Sequence, residues 1–158
     1  DVDISFFMNE TAEKGQIVVL STAGSGAAMD QSQALVTVAA ASTTNIPVGV
    51  LLNDVVDIDL TRQHINWHKD EVQKGGKVAI LKKGYVVTDQ IEGTPTAGAI
   101  AFLDDADTGK FAMAASVADT KYSPVGRFMS IKDEDGYCKV EVNLPVPMNK
   151  ADAAGTDV

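Results

Sequence analysis

Apolar residues in this chain come in runs of about four to six, each closed by Gly, Asp, Ser or Pro, and no stretch sustains the recurrence of a long amphipathic helix. Runs of that length suit strands joined by turns, so the chain reads as mostly β. The clearest strand is Cys138 to Leu144, where Cys138, Val140, Val142 and Leu144 share one face and Lys139, Glu141 and Asn143 the other. A cysteine in such a row behaves as a small hydrophobe. Ahead of it Asp135-Gly136 supplies a residue that accepts positive φ, which predicts a hairpin against Val125 to Ile131.

A pattern of Gly-x-(Ile/Val)-(Val/Ala)-x-Leu occurs at Gly15 to Leu20, Gly76 to Leu81 and Gly98 to Leu103. These runs are apolar on both parities, which predicts strands buried on two sides, as in a compact barrel, β-tulip or sandwich of short strands. Pro47-Val48-Gly49 and Pro124-Val125-Gly126 read as strand entries. From Val55 to Trp67 the apolar parity switches between Leu60 and Ile65, which signals a bulge or turn near Arg62 and Gln63. The segment Ala34 to Ala41 is open between helix and strand, since Ala favours one and the alternation of Val36 and Val38 the other. Gly24 to Ala28 reads as a loop.

The 158 residues support one core. The expected division is an extended N-terminal arm over 1–10, a single β domain over 11–146 and a flexible C-terminal tail over 147–158, which carries few periodic apolar residues. Thirteen Lys and Arg stand against 22 Asp and Glu, a net charge of -9 that repels phosphate, so no direct nucleic-acid partner is expected. A lone cysteine precludes an intramolecular disulfide and suits a reducing compartment. No run reaches the length of a membrane span, and the opening DVDISFFMNE lacks the basic start and apolar stretch of a signal peptide, so a soluble chain is expected.

The candidates for chemistry are sparse. His64-x-x-x-His68 has one spacing a metal could use, but no Glu follows His64, and solvent-facing residues beside Trp67 are the simpler reading. Asp104-Asp105-Ala106-Asp107-Thr108-Gly109 opens like a calcium loop, yet Gly109 and Ser116 stand where further acidic ligands belong, which favours a polar turn. Gly24-x-Gly26 lacks the third glycine of a dinucleotide fingerprint, and no Gly-x-Ser-x-Gly elbow is present. The pairs Asp57 with Asp59 and Asp133 with Asp135 read as solvated edges. No catalytic set, cofactor site or metal site is expected.

The order Glu13-Lys14-Gly15 into a strand, then Val48-Gly49-Val50-Leu51-Leu52-Asn53-Asp54, then Lys74-Gly75-Gly76-Lys77-Val78 with Tyr85, and last Val125-Gly126-Arg127 with the hairpin from Gly136 to Leu144, resembles the small head decoration (cement) proteins of bacteriophages. The likeness covers about residues 11 to 145 and departs from the pattern between Val55 and Val72, where Trp67 and both histidines sit. What the resemblance implies is a non-enzymatic structural protein of the virion, made in the host cytoplasm and placed on the capsid exterior. Its implied partner is the major capsid protein, whose neighbouring subunits it would tie together, often as a homotrimer. A carbohydrate- or small-ligand-binding β module of a phage tail or secreted protein is the alternative, and would need Trp67, Tyr85, Tyr122 and Tyr137 to converge. An enzyme with an unusual carboxylate site is the third reading.

Within the arm, Ile4, Phe6, Phe7 and Met8 are costly to leave in water, at about 1.5 to 3 kcal/mol for each large side chain that could be buried. Either the arm covers its own barrel, or it adds as a strand to an edge of the neighbouring capsid protein. Trp67, a large aromatic in a polar segment, is expected at a protein contact or as a cap on its own barrel. The candidate interface set is therefore Ile4, Phe6, Phe7, Met8 and Trp67.

Overall fold

The computed structural model describes residues 1–21, 35–38, 46–57, 71–105, 109–117 and 124–144. Among them the strands run β1 (Val2–Met8), β2 (Ile17–Ser21), β3 (Leu35–Val38), β4 (Pro47–Leu51), β5 (Asp54–Val56), β6 (Glu71–Gln73), β7 (Lys77–Leu81), β8 (Lys83–Thr88), β9 (Ile100–Leu103), β10 (Phe111–Ala112), β11 (Pro124–Phe128) and β12 (Cys138–Asn143). A 3-10 turn at Ala114–Ser116 lies between β10 and β11. Strands β1, β3, β2, β4 and β7 close into a barrel in that order, while β10, β9, β11, β12 and β8 form a second sheet.

The runs that are apolar on both parities are the strands shared between two cores. Val18 of β2 points into the barrel with Met8, Val36, Leu51, Val55, Val78 and Ile80. Its neighbours Ile17 and Val19 point the other way and meet Phe128, Val140 and Val142 of the second sheet. The same division separates Leu51 from Val50 on β4 and Ile80 from Leu81 on β7. Period-two alternation is missing from these strands because neither face is wet.

The two Pro-Val-Gly echoes do begin β4 and β11, but their glycines answer to crowding by the next strand. A Cβ at Gly126 would stand 1.7 Å from the Glu141 carbonyl oxygen on β12, and one at Gly49 would stand 2.0 Å from Ile80 Cγ2 on β7. The C-terminal hairpin forms as its turn chemistry predicts: β11 pairs with β12 antiparallel through Arg127 and Glu141, and Gly136 takes φ 87° in the turn. The Ala34 to Ala41 ambiguity resolves to strand over Leu35–Val38.

Of the two destinations expected for the N-terminal arm, its own barrel and an edge of the neighbouring capsid protein, β1 takes the first and forms a wall of the barrel. β1 pairs antiparallel with β7, with Val2 opposite Leu81 and Phe7 opposite Lys77, and pairs parallel with β3 through Phe7 and Met8. Met8 is fully buried and Phe7 nearly so. The cause is the cost identified in the sequence, the exposure of large apolar groups, met within the chain itself. The parity switch between Leu60 and Ile65, Trp67, both histidines, the Gly24 to Ala28 loop and the tail over 147–158 lie outside the described residues.

Candidate binding surface

Burial divides the predicted interface set. Phe7 and Met8 belong to the barrel, Phe6 is half-buried, and Ile4 remains 68% exposed beside Val2; Trp67 falls outside the described residues. Lys82 and Lys77 lie over the two phenylalanines, with Nζ 5.6 Å from the Phe6 ring centre and 5.7 Å from that of Phe7. Lys82 also reaches Asp3 Oδ2 at 3.1 Å. The hydroxyl of Ser5, its backbone N–H and Lys82 together hold the Asp3 carboxyl down at about 2, against an ordinary 3.8.

A second surface lies on the outer face of the second sheet. The antiparallel register sets Tyr85 opposite Glu141, Glu141 opposite Arg127 and Arg127 opposite Ile100, and sets Val87 opposite Lys139 in the next row. Directly paired residues point to one face, and Met129, whose N–H donates to the Lys139 carbonyl at 2.8 Å, extends the second row. Tyr85, Val87, Ile100 and Met129 are 59%, 63%, 48% and 42% exposed. Lys139 Nζ stands 4.8 Å from the Tyr85 ring centre, and Arg127 Nη1 donates to the Gly98 carbonyl at 2.6 Å.

The sequence signalled half of this face, the polar parity of β12. It hid the other half, because on β8 the inward parity is Gly84, Val86 and Thr88 while the larger apolar groups, Tyr85 and Val87, point outward.

The same hydrogen bonds fix which edge of this sheet is unpaired among the described residues. Odd-numbered residues of β12 direct their backbone groups to β11 and even-numbered ones to β8, as the Lys139–Met129 and Leu144–Lys82 bonds show. Tyr85 and Val87, opposite Glu141 and Lys139, therefore direct theirs away from the sheet. At one end of this edge the Lys83 N–H donates to the Asp1 carbonyl at 3.3 Å, and at the other Gly15 packs against Thr88.

Groups with chemical potential are engaged structurally. Cys138 is buried and its thiol donates to the Ser130 carbonyl at 3.1 Å. Asp133 Oδ1 accepts the N–H groups of Asp135 and Tyr137 at 3.0 and 2.9 Å, which ties the hairpin turn. An open cleft beside β5 is bordered by Glu10, Glu13, Asp54, Glu71 and Asp89, and four of these hold backbone or amide groups. Glu10 accepts from the Val38 N–H at 2.7 Å, Asp54 from the Lys14 N–H at 2.9 Å, and Glu13 and Asp89 from Gln90 Nε2 at 3.0 and 3.2 Å. Asp104, from the calcium-like run, is buried, and its N–H donates to the Lys110 carbonyl at 3.0 Å. Among the described residues no three His, Cys, Asp or Glu side chains are grouped to hold a metal, and no helix is long and apolar enough to cross a membrane.

A search of curated proteins finds no match. A protein-family model described as structural cement protein (E217 gp24/Pam3 gp6) matches residues 4–143, from β1 through the last residue of β12. That match takes in both sheets and the hairpin that closes the second one, and on this ground the chain belongs to the phage structural cement protein family.

Proposed function

We propose that the protein binds the outer surface of a phage head and ties neighbouring major capsid subunits together, without catalysing a reaction. The observation that carries this reading is the family match over residues 4–143, which spans the whole described fold and not one motif within it. The structure is compatible with a role that rests on surfaces: the buried volume is taken up by two apolar cores, and exposed apolar groups remain at Ile4 and on the outer sheet face. A protein that binds the closed shell and not its dissociated subunits stabilises the shell by mass action. Many copies multiply a modest contact through effective concentration.

Homotrimer formation, synthesis in the host cytoplasm and a position on the capsid exterior belong to the same proposal. The test compares particles assembled with and without the protein under heat and osmotic shock. Particles that carry it retain their DNA at higher temperature, with density for the protein on the outer surface in electron microscopy; equal resistance of the two particles overturns the cement role.

A further inference from the structure

The outer face of the second sheet combines two departures from what surrounds it. An antiparallel sheet with one face in the core ordinarily shows polar groups on the other, yet Tyr85, Val87, Ile100 and Met129 are all 42% exposed or more. The chain as a whole carries 13 basic and 22 acidic side chains, yet on this face Lys83, Arg127 and Lys139 stand with Glu141 as the one carboxylate of the paired rows. Apolar and cationic groups alternate across the strands, Val87 with Lys139 and Ile100 with Arg127.

We infer that this face, centred on Tyr85, Val87, Lys139 and Arg127, is the surface that docks on the shell, and that it takes a protein surface whose carboxylates surround a small apolar centre. The inference rests on the cement reading and names the contact within it. Charge complementarity identifies the occupant: an acidic protein is repelled by another acidic surface everywhere except where its own sign is locally reversed, and that place steers the encounter. Phosphate is the poorer match, because the cations are separated by apolar side chains and Asp133, Glu134 and Asp135 stand exposed in the turn of the β11–β12 hairpin. Three rows on four strands cover roughly 15 Å by 14 Å, well under the ~800 Å² that a stable pair buries per partner. The face is thus the centre of a contact that many copies reinforce.

Shells stripped of the protein are titrated with wild type, with a Lys83→Glu/Lys139→Glu double variant, with Glu141→Gln, and with Lys74→Glu in the turn between β6 and β7 as a control. All four changes lie on exposed or half-buried side chains, and circular dichroism with thermal melts confirms that each variant is folded. The double variant is expected to lose about tenfold or more in affinity and most of the salt dependence, Glu141→Gln to bind at least as well as wild type, and Lys74→Glu to be unchanged. Wild-type affinity and salt slope in the double variant overturn the docking face while leaving the cement reading intact. So does a loss confined to self-association of the free protein, or to binding of naked duplex DNA. Failure of wild type to bind stripped shells overturns both.

Discussion

Single residues are held here by what the neighbouring strand leaves room for. Gly126→Ala sets a methyl group against the Glu141 carbonyl, and because the obstacle is backbone it cannot rotate aside. The expected cost is about 2 to 3 kcal/mol or more, read as a lower denaturation midpoint at unchanged slope; a midpoint equal to wild type contradicts the close approach. Asp3 makes a prediction in pH. Its folded carboxyl titrates at about 2, below the ordinary 3.8, so its contribution is present above the ordinary value and is lost as pH falls towards the folded one. An NMR titration should place its midpoint near 2, and Ser5→Ala should move it upward, because the Ser5 hydroxyl is the largest cause. A midpoint unmoved by that substitution refutes the assignment.

At the scale of elements, β1 decides whether the barrel closes. Met8→Ala removes a fully buried side chain and should cost about 2 to 5 kcal/mol, whereas Ile4→Ala, on an exposed position, should stay within about 0.5 kcal/mol. Equal effects would mean that the strand is not docked. This element was not legible in the sequence: the apolar content of Phe6, Phe7 and Met8 showed that the segment must go somewhere, but its partner β7 lies far along the chain and nothing local names it. The strands β2, β7 and β12 were legible because their evidence is local, in glycine-led entries and in the parity of Cys138, Val140 and Val142. The Pro-Val-Gly pairs were half legible, since position showed the strand entry and only the packed neighbour shows why glycine stands there. The outer sheet face escaped because β8 turns its larger apolar groups outward, which inverts the rule by which a strand's buried side is read. Of the five candidate interface residues, burial removed Phe7 and Met8, a distinction that alternation alone could not draw within one short segment.

For the whole molecule, the shared walls β2, β4 and β7 bind the two sheets into one cooperative unit, since neither core can open without stripping one face of the same three strands. Denaturation followed by far-ultraviolet circular dichroism and by fluorescence should therefore give coincident transitions, and separated midpoints would show that barrel and second sheet unfold independently. Cys138 turns this into a measurement that needs no substitution. The residue is 1% exposed and packs in the core between the second sheet and the barrel, and no thiol reagent can reach it until β12 parts from that core. The rate at which a maleimide marks the protein is thus a clock for that opening, and the same clock, run on intact particles and on free protein, reads how far docking on a shell slows the breathing of the fold.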